Sequence, residues 1–534
     1  MNKTTSYNYL HITIVFLTLV VVSILSFFIS KLGYNPTDDG VILSLSRRLF
    51  MWQAPHKDFI SIRPTGSGLI HLPELLLGGK FVYLTSRLVV CFQFACISLF
   101  SILLIEKASS FTASIFAKCL IFTVAFYLCI HTFPILAWTT IDGIFCIITG
   151  TYLSTFENRY LKQFGYGIAG FAVLCKQNFI LLPILLIVLN RDYKNIGGWL
   201  FTMLPTLVYT EMVFFSGSFK DALQQFTIRT NLFDVGIKSY CTNAFLWLGF
   251  GFAQIIFWAT KSNRFIAFKH LFLLFLPVLL LGFLCYRNSY RATFFLEFGV
   301  LISLIVIKII QRSNEKWFLI FVMILAWSSS ISLGYNSPAL ASGIIWIALL
   351  SEVDFSNKLV NYILLFSFSI SSVLFIYLRT NFIYREKTAK ELQYKLDSVY
   401  GFSGIKTNKN TAAAMKELNG ICLRLRINNY AVIADYAGFW ATHHHNNLTL
   451  IDWSIADELV SKNVHDTYWN NLVANKKIKY IITQKYYSEF LADSLVPIKS
   501  NDIQYDLIDS VQNHYIKKWE GKYFNVFTKP LLSK

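Results

Sequence analysis

The sequence predicts a polytopic α-helical membrane protein with a C-terminal extracytoplasmic α/β domain, and three observations predict it. Of its 534 residues, 55% are hydrophobic and only 15% are charged, whereas soluble chains carry about 25% charged residues. Apolar stretches recur from residue 10 to residue 378, and most are long enough to cross a bilayer. Beyond residue 384 no stretch could span, and short runs of strand type appear instead.

The apolar stretches predict about 13 transmembrane helices if roughly 20 residues are needed to span and shorter pieces can pair. Residues 10–30 lack a small-residue cleavage site, so we expect a retained anchor and not a removed signal peptide. The polar triplet Lys176-Gln177-Asn178 divides one stretch into two short spans. The predicted spans are residues 10–30, 81–105, 111–130, 139–155, 164–175, 179–189, 199–215, 244–260, 271–286, 292–310, 317–333, 339–350 and 359–378.

The distribution of basic residues predicts the orientation. With the N-terminus inside, every short loop assigned to the cytoplasm carries Lys or Arg, whereas the outer turns 131–137 and 334–338 carry neither. The net charge of +18 therefore indicates the positive-inside rule and not nucleic-acid binding. We expect a multi-pass protein of the bacterial inner (plasma) membrane, with the C-terminus outside.

Two domains are expected on this topology. Residues 1–380 form the transmembrane domain, which includes a polar first external loop at 31–80. Residues 381–534 form the soluble α/β domain, which begins with a polar helix at 385–396 and contains strands at 430–435, 478–483 and within 517–529.

The first loop opens with the acidic pair Asp38-Asp39, followed by a glycine. One interpretation is that either carboxylate N-caps a helix over 41–52, whose apolar positions recur at helical spacing. The other is that the pair carries chemistry, because the topology places it on the same membrane face as many other polar groups. The pocket residues expected on that face, besides Lys176, are Lys57, Asp58, Arg63, His71, Asp142, Gln177 and Glu211.

Ionisable residues within spans are costly and are functional candidates by default. For Asp142 and Glu211 the alternative is a structural ion pair with a cation such as Lys176. The turn with Arg287 and Arg291 is basic although it lies on the outer side. Its guanidinium groups could clamp a phosphate bidentately or contact lipid headgroups.

Several other classes of site are disfavoured. The sequence has no Gly-rich phosphate loop and no nucleophile elbow. Its nine cysteines include no CxxC pair. The run His443-His444-His445 has no zinc spacing and is typical of an exposed loop. The sequon at Asn447 is a pattern common by chance.

These residues resemble the polytopic GT-C glycosyltransferases that use polyprenyl-phosphate sugars, in the protein mannosyltransferase-like and aminoarabinose-transferase-like group (glycosyltransferase family 39-like). The likeness covers roughly residues 10–380. His56-Lys57 stands where that group usually has Tyr-Arg, and Met51-Trp52-Gln53 replaces its usual glycine. The matching positions are Asp38-Asp39-Gly40, Ala54-Pro55-His56-Lys57-Asp58-Phe59, Arg63-Pro64-Thr65-Gly66, Asp142 and Lys176.

The resemblance implies a GT-C fold and an inverting transfer of a hexosyl or pentosyl group from a polyprenyl phosphate to a lipid, glycan or protein acceptor. Asp38 or Asp39 would be the catalytic base, and Lys176, Arg287 and Arg291 would bind the donor phosphate. Some relatives bind a divalent cation, for which Asp38, Asp39 and His71 are the candidate ligands.

Two other functions remain open from the sequence. A broken helix that carries Lys176 also suits a lipid-linked glycan transporter, flippase or polymerase without acid-base catalysis. A scaffold with a partner-binding C-terminal domain would leave the charged first loop unexplained.

Overall fold

The computed structural model describes residues 3–227, 232–259, 266–286, 291–331, 336–427, 429–433, 435–442, 446–455, 459 and 462–529. The helical part precedes a small mixed sheet. Its helices are α1 Lys3–Ser30, α2 Val41–Phe50, α3 Gly66–Ile70, α4 Leu72–Leu77, α5 Val82–Ala108, α6 Ile115–Ile130, α7 Thr139–Ser154, α8 Arg159–Cys175, α9 Leu181–Leu189, α10 Ile196–Phe215, α11 Phe219–Thr227, α12 Leu232–Cys241, α13 Ala244–Ala259, α14 Ile266–Tyr286, α15 Phe294–Ile310, α16 Glu315–Ser330, α17 Ser342–Leu349 and α18 Lys358–Asn381.

Each predicted span is helical over most of its length, and the apolar composition identifies an integral membrane protein. Within the described residues, five segments are long and apolar enough to cross a membrane, and four shorter apolar helices accompany them. The number of thirteen spans stays a prediction. The five segments are His11–Ser30, Gly79–Ala108, Ile196–Phe215, Ile266–Tyr286 and Lys358–Asn381.

Helices α7 and α8 are held unusually close by small residues. A side chain added at Gly150 of α7 would lie 2.6 Å from backbone atoms of both Gly165 and Ala169 of α8. Small residues permit such close packing of membrane helices. The start of α7 and the end of α8, which carry Thr140 and Lys176, are therefore fixed side by side.

The C-terminal segment contains helices and a five-stranded sheet in the order β4-β3-β5-β7-β6. Strand β3 is parallel to β4 and β5, whereas β7 is antiparallel to β5 and β6. The elements are β1 Tyr394–Lys395, β2 Lys406–Thr407, α19 Lys409–Arg424, β3 Asn429–Ile433, α20 Ala437–Thr442, β4 Asn446–Asn447, α21 Lys462–Ala474, β5 Tyr480–Gln484, α22 Asp506–His514, β6 Ile516–Glu520 and β7 Phe524–Thr528.

The helix predicted at 385–396 is wrong. This stretch consists of turns and the short strand β1. The reason is the side chain of Glu386, which is half-buried and accepts hydrogen bonds from the Tyr34 backbone N–H, the Thr407 hydroxyl and the Asn408 amide. These partners lie on other segments and hold the chain in a non-helical path.

The first loop and the C-terminal segment share a hydrophobic core. One buried cluster combines Tyr34, Leu43 and Tyr83 with residues of α19 and β7. Backbone hydrogen bonds cross the same boundary, from Gly33 N to Lys406 O at 2.8 Å and from Ile60 N to Leu450 O at 2.8 Å. The two segments are therefore packed as one unit, and the division at residue 381 stays a prediction.

Candidate active site

Asp39 is a buried structural acid. Its Oδ2 accepts hydrogen bonds from Arg87 Nη2 at 2.8 Å and from the Asn35 backbone N–H at 3.1 Å. Arg87 also donates to the carbonyl groups of Ser30 and Gly33. Burial raises the pKa of Asp39, while the Arg87 charge opposes this rise. The pair ties the first loop to α5.

Asp38 faces the C-terminal segment instead. Its Oδ2 accepts a hydrogen bond from the Tyr384 hydroxyl at 2.7 Å and lies 3.5 Å from Arg385 Nη1. The two adjacent carboxylates thus point to different partners. The catalytic role predicted for Asp38 or Asp39 stays a prediction.

Neither acid caps α2, so that interpretation is wrong. The N-cap residue is Gly40, which has φ of 95° and provides no side-chain hydrogen bond. A Cβ atom at Gly40 would lie 2.3 Å from Gly438 Cα of α20. The position therefore requires glycine both for its left-handed backbone and for its contact with the C-terminal segment.

Residues 54–58 dock on α10 and α11, and Lys57 and Asp58 do not line the pocket described below. The His56 ring contacts Gln225 Oε1 and the Tyr209 hydroxyl, both at 2.7 Å. Lys57 is exposed and donates to the Ser216 carbonyl. Asp58 is exposed and accepts from the Ala54 backbone N–H.

Asp142, at the start of α7, belongs to a buried polar cluster. Its Oδ1 accepts hydrogen bonds from His71 Nε2 at 2.9 Å and from Gln93 Nε2 at 2.8 Å. The other ring nitrogen of His71 lies 2.8 Å from Glu74 Oε1. Burial lowers the pKa of His71, but the two carboxylates raise it to about 10 overall. The partner of Asp142 is therefore His71. The structural alternative, an ion pair with Lys176, is wrong for this residue.

One oxygen of Asp142 remains available. The carboxylate is fully buried, and its Oδ2 has no hydrogen-bond partner among the described residues. A buried polar atom without a partner is costly. Such an atom is a candidate contact for a substrate group.

Lys176 is a buried cation in the break between α8 and α9. Its Nζ donates to Thr140 Oγ1 at 3.0 Å, and no carboxylate among the described residues forms an ion pair with it. Arg63 is near enough for its charge to repel that of Lys176. Two neighbouring cations, one of them buried, favour an anionic ligand.

Two other predicted residues are not brought to this point. Gln177 and Glu211 are exposed. Arg287 and the run His443–His445 lie outside the described residues. Arg291 begins a short 3-10 helix, but its side chain lies outside the described part.

A pocket lies between the first loop, the start of α7 and the C-terminal segment. Sequence reasoning found Arg63 but missed the other polar groups in its wall. No local pattern distinguishes these groups from ordinary surface residues. The lining residues are Val41, Ile42, Ser44, Leu45, Arg48, Phe59, Ile60, Ser61, Ile62, Arg63, Pro64, Thr139, Ile451, Asp452 and Trp453.

Arg48 and Asp452 hold two walls of this pocket together. Arg48 Nε and Nη2 lie 2.6 and 2.7 Å from the two carboxylate oxygens of Asp452. Arg48 also donates to the Thr449 carbonyl and to the Gln53 side chain. The Arg48 side chain is 2% exposed, so the ion pair is well shielded from solvent.

The candidate metal ligands do not converge. Asp38, Asp39 and His71 each bond to a different partner, as described above, and so they do not form a ligand set. Within the described residues, no three His, Cys, Asp or Glu side chains are grouped to hold a metal ion.

No protein-family model and no curated protein matches the sequence significantly. Solved structures similar to the chain are those of the oligosaccharyltransferase AglB from Archaeoglobus fulgidus. The complex with Zn and sulfate is 12% identical, with a TM-score of 0.40 over 87% of this chain and 68% of that one. The complex with an inhibitory peptide and a dolichol-phosphate is 11% identical, with a TM-score of 0.40 over 99% and 75%. The proposals for this chain rest on its own residues.

Proposed function

We propose that the chain is an integral-membrane glycosyltransferase. It moves a hexosyl or pentosyl group from a polyprenyl-phosphate donor to a lipid, glycan or protein acceptor on the outer face of the membrane. The observation that carries the proposal is Lys176, a buried ammonium group whose hydrogen-bond partner is the Thr140 hydroxyl. An isolated buried cation is costly, and a donor phosphate would compensate its charge.

The two cations suit the leaving group of this reaction. When the bond between the sugar and the phosphate breaks, negative charge develops on the phosphate oxygens. Lys176 and Arg63 would stabilise that charge from fixed positions. Arg287 and Arg291 stay predicted ligands of the same phosphate.

Asp142 is the best placed carboxylate for the acceptor. Its Oδ1 is held by His71 and Gln93, and its Oδ2 is without a partner among the described residues. The acceptor hydroxyl would give its proton to Oδ2 while its oxygen attacks the anomeric carbon. The phosphate leaves with the bonding electron pair, so one direct displacement inverts the anomeric centre.

The test is a transfer assay with the full chain in lipid nanodiscs. Radiolabelled polyprenyl-phosphate mannose, glucose and arabinose serve as donors, and lipid, glycan and protein fractions of a cell envelope serve as acceptors. We expect Lys176→Met and Asp142→Asn to lower the rate about 10²-fold or more, as loss of a group that stabilises transition-state charge does. The exposed Lys517→Met is the control.

Three results would contradict parts of this proposal. A normal rate in Lys176→Met would remove the phosphate site. A normal rate in Asp142→Asn together with loss in Asp38→Asn or Asp39→Asn would return the base to the first loop. Movement of the labelled donor across the bilayer without a new glycosidic bond would favour the transporter, to which a broken helix is also suited.

A further inference from the structure

The pocket has an aromatic wall that comes from the C-terminal segment. Trp453 lines it and is half-buried, and its indole Nε1 is buried without an acceptor among the described residues. A buried tryptophan N–H usually finds a hydrogen-bond partner. A ligand that carries hydroxyl groups would supply one here.

The pocket begins next to the proposed phosphate site. Thr139 lines the pocket, and the next residue, Thr140, accepts the hydrogen bond of Lys176. Arg63 lines the pocket and also lies near Lys176. A group bonded directly to a phosphate at Lys176 would therefore extend into the pocket.

The chemistry of the walls suits a sugar ring better than a hydrocarbon chain. Phe59, Pro64 and Trp453 supply apolar surface, while Ser44 and Arg63 supply polar groups. Binding pockets combine apolar walls with a few polar groups that fix the orientation of the ligand. A polyprenyl chain would leave the indole N–H of Trp453 without an acceptor, which costs binding free energy.

We propose that this pocket binds the glycosyl group of the lipid-phosphate donor, with the ring packed on Trp453. The proposal rests on the proposed function, because the phosphate is placed at Lys176. Trp453 is then a specificity-determining residue, and Arg48 with Asp452 is a positioning pair. The C-terminal segment thereby contributes one wall of the donor site.

A binding experiment tests this without requiring turnover. The full chain in nanodiscs is titrated with decaprenyl-phosphate mannose and with decaprenyl phosphate that carries no sugar, and binding is followed by native mass spectrometry. We expect the sugar to improve affinity at least tenfold in the wild type. Trp453→Ala should lose this gain and keep its affinity for the bare lipid phosphate, whereas Trp453→Phe, which keeps an aromatic ring but loses the N–H, should keep only part of the gain.

Two further variants separate this inference from the proposed function. Trp52→Ala is the matched control, because Trp52 is 93% exposed and lies outside the pocket wall. Lys176→Met should weaken both lipids equally. Glucose and arabinose donors are tested in the same way, and thermal unfolding confirms that each variant is folded.

The outcomes are distinct. A sugar-dependent gain that survives in Trp453→Ala, or the absence of any gain for all three sugars, overturns the inference. In the transfer assay, an unchanged KM for the donor and a raised KM for the acceptor in Trp453→Ala would also overturn it, since the pocket would then bind the acceptor. Absence of transfer with a Trp453-dependent gain in binding would reject only the proposed function.

Discussion

Arg48 and Asp452 form a buried bidentate ion pair across 404 positions of the chain. The first partner lies in α2, early in the sequence, and the second lies in the C-terminal segment after β4. Because Arg48 also donates to the Thr449 carbonyl, the pair fixes the backbone that leads to Trp453. The ion pair therefore fixes the position of the pocket wall that carries Trp453.

Breaking this pair should be strongly destabilising. Arg48→Met removes the bidentate partner of the Asp452 carboxylate, and removal of one member of a buried ion pair costs about 3–5 kcal/mol. The double variant Arg48→Met with Asp452→Leu should lose less unfolding free energy than Arg48→Met alone, because both charges of the pair are removed. Thermal unfolding in detergent measures both. The surface pair of Lys517 and Glu520 is the control, for which little or no loss of stability is expected because solvent screens both charges. An equal loss of stability in the two pairs would contradict the prediction.

His71 predicts a pH dependence of stability. Its pKa is raised from about 6.5 to about 10 by Asp142 and Glu74 against the effect of burial. A raised pKa gives a contribution that is full below about 6.5 and is lost as the pH rises through about 10. His71→Gln should therefore be most destabilising at pH 6, and the difference from wild type should shrink by pH 10. Unfolding midpoints at several pH values measure it, and a pH-independent difference would refute the prediction.

The buried carboxyl group of Asp435 should also make the stability of the protein fall as the pH rises. It is 1% exposed, its Oδ2 accepts from Gln484 Nε2 at 3.1 Å, and its Oδ1 has no partner among the described residues. Burial raises its pKa, and Asp38 adds to the rise while Arg385 opposes it. Stability is thus present below the unfolded pKa of about 4 and is lost as the pH rises through the higher folded pKa.

Asp435→Asn removes this titration, so its stability relative to wild type should be higher at pH 8 than at pH 4. Chemical denaturation at the two pH values measures the change. Asp493→Asn is the control, because the side chain of Asp493 is 74% exposed. A relative stability of Asp435→Asn that does not change with pH would show that the carboxylate stays in one protonation state.

Adding one methyl group at Gly40 should strongly destabilise the protein. Gly40→Ala should cost at least about 3 kcal/mol, because its φ is unfavourable for alanine and the Cβ would overlap Gly438. Gly420 in α19 is the matched control, since no atom lies within 4 Å of an added Cβ. Gly420→Ala should stabilise by about 0.5–1 kcal/mol. Similar unfolding midpoints in the two variants would contradict the close contact between α2 and α20.

The sequence predicted those features of the fold that depend on neighbouring residues along the chain. Hydrophobicity over about 20 residues predicts a span, and so the helices and the break at Lys176 follow from the pattern. The strand positions of β3 and β5 also follow from short apolar runs. The charge pairings were not predictable, because Arg47 and Arg48 look alike in sequence and Asp452 is far away along the chain.

Four residues of the candidate site were selected from the sequence, either because an ionisable residue within a span is energetically costly or because of their position in the first loop. They are Asp142, His71, Lys176 and Arg63. The sequence could not assign their partners, since His71 and Asp142 are 71 residues apart. It assigned chemistry to Asp39, whose partner Arg87 lies within the apolar helix α5. The helix predicted at 385–396 was wrong because the tertiary hydrogen bonds of Glu386 outweigh local helix propensity.

The pocket wall at Ile451–Trp453 has a consequence for the synthesis of the protein. Chains are made from the N-terminus, so the residues of the proposed phosphate site are synthesised long before residue 453 emerges. An unfinished chain therefore has these residues but lacks the wall that would receive the sugar. The order of residues along the chain delays a complete donor site until residue 453 has been translated.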